Sequence, residues 1–459
     1  MLSDEEIEAF RTGSFQLHCG EIRIEREWAE RPVSLVGPGR IYQGPDGELR
    51  LTCYPTTVDS NLVFETFPIG EFIPKEAYAC LETTDFQGRR WSTPHLLLDV
   101  KWTNAWSKGY VDCALPFVSG TREWTTKRSL GATVTAYPFR PLSLPTNAGS
   151  RTEIERAGRT YTNHAADATS FRAGEVRVTV LHNEPASIVH LDSPTLVSEH
   201  LLERVRETLQ FVCATPFGWA ATTGITDSAE TAYLRGRLPS TSRPRIQPPL
   251  PTNLADAGAN AEALFARYLS FVLESSAEGL HPLSAVWADV LRSSEVSLET
   301  QATVSCTAVD VILAIMANEQ TLETRRDAAA HEELERWRAR IVSMLQEEGC
   351  PEPLATRVRT HLVGLESRTR RDVLEALASD GAVDARLIIP WRRLRNKVVH
   401  GSPAIRGDVH ELARGCYAVT TLLYQLSFHL IGYRGLFRDF ASGWALKSYP
   451  LEGNARTAR

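Results

Sequence analysis

Near the end of the chain the sequence reads Pro390-Trp391-Arg392-Arg393-Leu394-Arg395-Asn396-Lys397-Val398-Val399-His400-Gly401-Ser402-Pro403. Arg395 is followed directly by a polar residue and, five positions on, by His400. Glycine and proline come next, so the chain is expected to break or change direction there. From Arg386 to Arg406 there are six basic residues and no acidic one. A permanently charged guanidinium and an imidazole that titrates near neutral pH suit phosphate chemistry without a metal.

The spacing of an arginine and a histidine five positions later is not selective by itself, because it recurs. The five pairs are Arg90/His95, Arg159/His164, Arg177/His182, Arg326/His331 and Arg395/His400. The first two lie in turn-like or polar surroundings, and the third lies in a predicted strand whose period of two puts its members on opposite faces. The fourth begins a charged, exposed helix. Only His400 is followed by glycine and then by a long apolar helix.

Length and composition indicate a folded protein of ordinary type. The 459 residues are enough for two or three domains with substantial cores. Apolar residues make up 43% and charged residues 23%, which is typical of soluble proteins. The net charge is −6, so a contact with nucleic acid would have to be a local basic patch.

The sequence also indicates in which cellular compartment the protein is expected. No apolar run reaches the ~20 residues that span a bilayer, and the acidic N-terminus does not resemble a signal peptide. The eight cysteines include no C-x-x-C pair, which argues against a zinc site or a disulfide framework. We therefore expect a cytoplasmic protein that makes no membrane contact.

Residues 1–240 are predicted to form a β-rich N-terminal domain, because short alternating segments separated by turn formers are typical of antiparallel sheets. The predicted strands are 15–19, 21–25, 47–54, 96–102, 132–137 and 175–181. A helix from Ser198 to about Val212 and a polar, aromatic loop at 215–224 follow. Residues 241–255 lie in a proline-rich stretch, which predicts an extended linker that packs against nothing.

Residues 256–459 are predicted to form an all-α domain, which makes the fold class α+β with two domains. The segment 298–318 is apolar nearly all round and should be a buried central helix. Asp310 lies inside it, and a buried carboxylate needs a partner or a shifted pKa. The last helix, 409–430, has apolar residues at alternating steps of three and four, which predicts a seam for packing against another helix. Further helices are expected at 261–274, 283–291, 321–348, 354–365 and 372–378.

The motif and its setting resemble the Arg-Asn-x-x-x-His pattern of HEPN-domain ribonucleases. The resemblance extends from 256 to about 440, with a central helix, the motif and a long final helix. Ala308-Val309-Asp310 lies where the ApeA-like anti-phage branch carries Ala-Leu-Glu. Aspartate is one methylene shorter than glutamate, which leaves open whether Asp310 reaches the motif. The β-rich half is more loosely similar to the N-terminal domain of that branch.

The resemblance implies a metal-independent endoribonuclease without a cofactor, acting on cellular RNA such as tRNA in abortive infection. His400 would be the general base or acid, Arg395 would stabilise the charged phosphorane, and Asn396 and Asp310 would complete the catalytic set. The substrate RNA would be bound by Arg392, Arg393 and Lys397. The family implies a homodimer or higher homo-oligomer through the helical bundle, and a phage-derived trigger at the N-terminal domain.

Two other classes of function stay open. One is a HEPN-like module that binds RNA or a nucleotide without cleaving it, and the other is a structural adaptor. The arginines could form a solvated helix face, His400 a helix cap, and Asp310 an ordinary ion pair.

Overall fold

The computed structural model describes the chain in segments. These are residues 2–26, 33–58, 73, 75–97, 100–101, 110–124, 132–156, 159–183, 186–195, 197–236, 246–251, 257–275, 279–318, 328–364, 369–399 and 408–451. They form an antiparallel β-rich N-terminal region and a helical C-terminal region, so the predicted α+β organisation is confirmed at this level. The chain divides into two compact units, Met1–Arg206 with Phe217–Ser242, and Glu207–Pro216 with Arg243–Arg459.

Among its described residues, the first unit contains α1 (Asp4–Thr12), the first half of the helix at Glu199–Cys213, and one antiparallel sheet. Its strands are β1 (Gln16–Arg26), β2 (Val33–Gln43), β3 (Leu49–Cys53), β4 (Thr57–Val58), β5 (Ala79–Asp85), β6 (Arg90–Leu96), β7 (Val100–Lys101), β8 (Tyr110–Leu115), β9 (Phe117–Glu123), β10 (Ala132–Pro138), β11 (Ala148–Arg156), β12 (Arg159–Ala173), β13 (Val176–Asn183), β14 (Ala186–Ser193), β15 (Trp219–Ile225) and β16 (Ala229–Arg235).

The hydrogen-bonded order is β11-β12-β13-β14-β10-β15-β16-β9-β6-β5-β1-β2-β3-β8-β7, and β4 pairs with β2. Burial alternates along β5 and the first half of β1, as the period-two pattern predicts. The predicted strands 15–19 and 21–25 are one strand, because a register shift at Gly20 forms a bulge and pairing continues past it. The predicted loop at 215–224 is wrong beyond Gly218: Trp219 and Ala221 are buried, and the segment pairs with β10 and β16.

The second unit is helical. After α2 (Glu199–Cys213), whose second half belongs to it, the helices are α3 (Ala257–Leu273), α4 (Pro282–Val296), α5 (Leu298–Asn318), α6 (Ala328–Glu347), α7 (Glu352–Gly364), α8 (Arg370–Ser379), α9 (Ile388–Val399) and α10 (Val409–Ile431). A hairpin of β17 (Gly435–Asp439) and β18 (Ala445–Tyr449) follows α10, so the prediction of an all-α domain over 256–459 is wrong at this end. The helix predicted at 298–318 is α5, whose bounds are the same. It packs against α4, α9 and α10.

By length and composition, the 298–317 part of α5 could cross a membrane, although the sequence contains no uninterrupted apolar run of ~20 residues. More than half of its most apolar window is buried inside the bundle. Such burial is typical of a core helix, so this is weak evidence for a membrane span.

The apolar seam predicted along α10 is used within the chain. Cys416, Val419, Leu423 and Leu426 are buried, and α10 packs chiefly against α5. Val409, the first residue of the seam, is exposed. The partner helix of the seam is therefore α5, and the seam cannot serve as the contact between two copies of the chain.

An aromatic cluster fills the core of the second unit. Phe211 of α2 stacks on Tyr268 with ring centroids 4.4 Å apart, and it makes an edge-to-face contact with Trp287 with ring centroids 5.1 Å apart. Trp287 stacks on Tyr424 and donates its Nε1 hydrogen to Ser427 Oγ at 2.9 Å. The segment 207–216, which the predicted domain division assigns to the β-rich domain, thus contributes to the helical core.

The end of the proline-rich stretch is packed, contrary to the expectation of an extended linker. Ile246 and Leu250 are buried. Tyr424 donates its hydroxyl hydrogen to the Gln247 carbonyl, and the Arg438 amide donates to the Pro249 carbonyl. Proline restricts the backbone but leaves carbonyl oxygens and apolar side chains available, so such a segment can dock against a helical core. Residues 241–245 and 252–255 of the predicted linker lie outside the described part of the chain.

Candidate active site

Helix α9 carries most of the motif. Asp384 caps the 3₁₀ turn that precedes it, and Pro390 lies in its first turn, where an amide hydrogen would have no intrahelical acceptor. Trp391 and Leu394 are buried and anchor the helix. The helix ends at Val399, before the glycine and proline that predicted a break.

Asp310 and Arg395 are brought together, which answers whether the shorter acid reaches the motif. Asp310 lies on α5 and Arg395 on α9, 85 positions apart in sequence. Arg395 Nε donates to Asp310 Oδ2 at 3.0 Å. The aspartate side chain is 25% exposed and the arginine side chain 40%, so the pair lies at the edge of the bundle and is open to solvent on one side.

Two further residues surround this pair. Arg370 Nε of α8 lies 3.9 Å from Asp310 Oδ1, too long for a hydrogen bond. Oδ1 is buried and accepts no hydrogen bond from the described residues. The guanidinium carbon of Arg395 lies 5.9 Å from the ring centre of Trp391, one turn earlier on α9. The Asp310 carboxylate and the Trp391 ring together restrict where the Arg395 guanidinium can lie.

The thiol beside this pair is inert. Cys306 lies one turn before Asp310 on α5 and is buried. Burial, and to a lesser degree Cys416 and Asp310, raise the pKa of Cys306 to about 12, although Arg395 opposes the shift. The thiol therefore stays protonated at neutral pH and cannot act as a nucleophile.

The other basic residues of the motif divide between faces of α9. Arg392 and Asn396 are exposed. Arg393 and Lys397, one turn apart, lie on the side that faces α10, and Lys397 Nζ pairs with Glu411 Oε1 at 2.8 Å. Two residues of helix correspond to a rotation of about 200°, so Arg393 and Arg395 point in nearly opposite directions. Two of the three residues predicted to bind RNA, Arg393 and Lys397, thus lie on the side of α9 away from Arg395.

A cavity of about 420 Å³ opens on the α10 side of α9. Its basic lining residues are Arg386, Arg393, Lys397 and Arg414, and its carboxylates are Asp408 and Glu411. Its apolar lining comes from Leu387, Pro390, Leu394, Leu412, Gly415, Tyr417, Ala418, Phe440 and Ala441, and Ser442 completes it. None of the α10 residues was indicated by the motif, because their positions follow from the packing of α9 on α10.

His400 lies outside the described residues, as does Arg406. Of the fourth Arg-x4-His pair, which is predicted to begin a helix, Arg326 lies outside the described residues as well, and His331 belongs to α6. The structure therefore provides geometry for Arg395, Asn396, Asp310 and the basic residues, and none for the histidine. Arg370 and Trp391 were missed by the sequence analysis. The four-residue spacing of Trp391 and Arg395 was a usable signal, whereas nothing in the sequence connects Arg370 to Asp310.

The arrangement can bind an anion. Arg395 is oriented through its Nε, and its terminal amino groups make no hydrogen bond to the described part of the chain. A guanidinium in this state can donate two parallel hydrogen bonds to a phosphate. Comparison of the chain with protein-family models, with curated proteins and with solved structures finds no match.

Proposed function

We propose that the protein is a metal-independent endoribonuclease in which Arg395 and His400 act on the scissile phosphate. The observation that carries the proposal is the hydrogen bond between Asp310 of the central helix and Arg395 of the motif. It supports a guanidinium that is held at the bundle surface and whose terminal amino groups make no hydrogen bond to the described part of the chain. Fixed donors of this kind stabilise charge that develops in a transition state.

The reaction is an attack by the 2′-hydroxyl of the substrate RNA on the adjacent phosphorus. A base removes the hydroxyl proton while the new oxygen–phosphorus bond forms, and an acid protonates the departing 5′ oxygen. His400 serves one of these roles. Arg395 stabilises the added negative charge on the phosphorane, Asn396 orients the substrate, and Asp310 acts as a positioning residue through Arg395. The products are a 2′,3′-cyclic phosphate and a 5′-hydroxyl.

The test compares variants of two of the five Arg-x4-His pairs, Arg395/His400 and Arg326/His331. His400→Ala and Arg395→Ala should each lower RNA cleavage by about two orders of magnitude or more. His331→Ala is the matched control, because it removes a histidine of the same spacing and should leave cleavage unchanged. RNA sequencing after expression of each variant would measure cleavage in cells, and purified protein would identify the termini in the presence of EDTA.

Results with the histidine variants and with EDTA could each contradict the proposal. Cleavage that survives in His400→Ala, or that is lost in His331→Ala, would show that the reacting groups lie elsewhere. Cleavage that stops on addition of EDTA and returns with a divalent cation would show that the reaction needs a metal.

A second candidate function is a module that binds RNA or a nucleotide without cleaving it, or an adaptor. It is favoured by the division of the basic residues, since Arg393 and Lys397 face a cavity and not the Asp310 side. This alternative predicts that RNA binds and stays intact, with equal amounts of full-length RNA for the parent and His400→Ala proteins. An adaptor predicts no RNA affinity at all.

The proposal extends to assembly and biological role. We infer that two copies bring their motifs together as a homodimer, and that the β-rich unit senses a phage-derived trigger before the nuclease acts in abortive infection. Because the α10 seam is buried against α5, the contact between copies must use another surface. Light scattering on the purified protein would measure the assembly, and a monomer with full cleavage activity would contradict it.

A further inference from the structure

The cavity between α9 and α10 has the composition of a ligand site. Its volume of about 420 Å³ is within the range of small-molecule pockets, roughly 300–1,000 Å³. Its lining combines an apolar floor with four cationic side chains and two carboxylates. An excess of positive charge over an apolar floor favours a ligand that has both a ring and an anionic group.

Two of the four cations are already paired. Arg386 Nη2 lies 2.5 Å from Asp384 Oδ2, and Lys397 pairs with Glu411. Arg393 and Arg414 form no ion pair with the described residues, although the charge of Arg414 acts on Asp408. Arg393 is exposed, and each arginine projects from a different wall of the cavity. Two guanidiniums from facing helices can hold one phosphate from two sides.

Tyr417 supplies a surface for a ring. Its side chain is 38% exposed and lines the cavity, and the edge-to-face contact with Trp444, with centroids 6.1 Å apart, fixes its orientation. Gly415, two residues before Tyr417, allows α10 to approach α9, because a β-carbon there would meet two Leu394 methyl groups at 3.4 Å. An exposed aromatic ring beside an anion site can stack on a nucleobase.

We propose that this cavity binds one nucleotide unit, with the phosphate between Arg393 and Arg414 and the base against Tyr417. The unit is either a free nucleoside monophosphate or one nucleotide of a single strand. The site is distinct from the Arg395–Asp310 pair, because it lies on the opposite face of α9. The inference does not rest on ribonuclease activity, and its test measures binding alone.

The experiment is isothermal titration calorimetry on the full chain with each of the four ribonucleoside monophosphates, inorganic phosphate, and a single-stranded oligodeoxynucleotide that lacks the 2′-hydroxyl and so cannot be cleaved. Arg393→Gln and Arg414→Gln should each weaken nucleotide binding by about tenfold or more. Tyr417→Ala should weaken nucleotide binding and leave inorganic phosphate binding unchanged. Arg292→Gln, on the exposed surface of α4, is the control for loss of one positive charge.

Each outcome of the titrations either supports or overturns the proposal. If the monophosphates bind and their binding depends on Arg393, Arg414 and Tyr417, the ligand is a free nucleotide. If only the oligonucleotide binds, with the same dependence, the ligand is one nucleotide of a single strand. An equal loss of binding in Arg292→Gln would show a general effect of charge and would overturn the proposal. So would the absence of binding by every one of these probes. The substituted side chains lie at the surface or the cavity wall, and thermal unfolding of each variant checks that it folds.

Discussion

At the scale of residues, the Asp310–Arg395 pair shows what sequence can and cannot indicate. Asp310 stands out in the sequence because a carboxylate in an apolar helix needs a partner. The sequence does not indicate which of the many arginines supplies it, since Arg370 and Arg395 approach Asp310 only through the packing of α9 on α5 and of α8 on α9. The need for a pair was predictable, and its identity depends on tertiary structure.

The pair should contribute little to stability and much to activity. Both side chains are partly exposed, so a double-mutant cycle of Asp310→Asn and Arg395→Gln should give a coupling free energy of about 1 kcal/mol or less in urea unfolding. Asp310→Asn should nevertheless lower RNA cleavage, because it releases the guanidinium that it orients. The exposed pair Arg371–Glu375 on α8 is a matched control for coupling. Cleavage at the parental rate in Asp310→Asn would contradict a positioning role.

His429 should make the helical unit less stable in acid. Burial lowers the pKa of His429 below its ordinary value of 6.5, and Asp380 only partly opposes this. The unfolded chain therefore binds the proton more readily, so the stabilisation is present above the unfolded pKa and is lost as the pH falls through the folded value. His429→Gln should flatten the rise in the free energy of unfolding from about pH 5 to 7.5. Subtracting the parent curve cancels the contributions of other histidines, and parallel curves would contradict the prediction.

At the scale of elements, the long periodic segments were the most predictable. Helices α5 and α10 lie where their periodicity places them, because each buries a wide apolar face. The strand at Trp219–Ile225 was missed since its threonines and glycine resemble a loop, and only pairing on both sides reveals it. The sequence also did not indicate that α5 covers the seam of α10, because an apolar seam requires an apolar partner but does not specify which helix it is.

The end of α10 tests a local conformational requirement. Gly432 has φ 65°, in the left-handed region, and its amide donates to the His429 and Phe428 carbonyls. A β-carbon at Gly432 would meet no atom within 4 Å, so the effect of a substitution there is conformational and not steric. Gly432→Ala should lower the free energy of unfolding by about 1 kcal/mol. Gly432→Asn should cost less, because asparagine tolerates this conformation. Equal losses in urea unfolding would contradict this explanation.

At the scale of the whole molecule, composition and the proline-rich stretch indicated a β-rich part followed by a helical part. They did not indicate that residues 207–216 and 246–251 belong with the helices. Both segments are short, and their assignment depends on which core receives Phe211, Ile246 and Leu250. A division of the chain by composition cannot detect such contributions.

Phe211 should therefore be essential to the helical unit although it precedes the proline-rich stretch. Phe211→Ala removes a buried ring that contacts Tyr268 and Trp287, and should destabilise this unit by about 3–5 kcal/mol. Hydrogen exchange of α10 measures the effect. Phe86→Ala is the control, because that side chain is 79% exposed and its loss should change little. A fragment that begins at residue 246 lacks Phe211 and should show the same loss of protection; full protection in that fragment would contradict the prediction.

The opposite placement of Arg393 and Arg395 on α9 has a consequence for occupancy. A helix with its side chains is about 10–12 Å across, and one rigid molecule that lies flat against it covers one side. A molecule held by Arg395 therefore leaves the cavity beside Arg393 open, and a molecule in the cavity leaves Arg395 open. Two molecules can therefore occupy α9 at the same time without displacing each other. Saturation of one side should leave the apparent affinity of the other side unchanged.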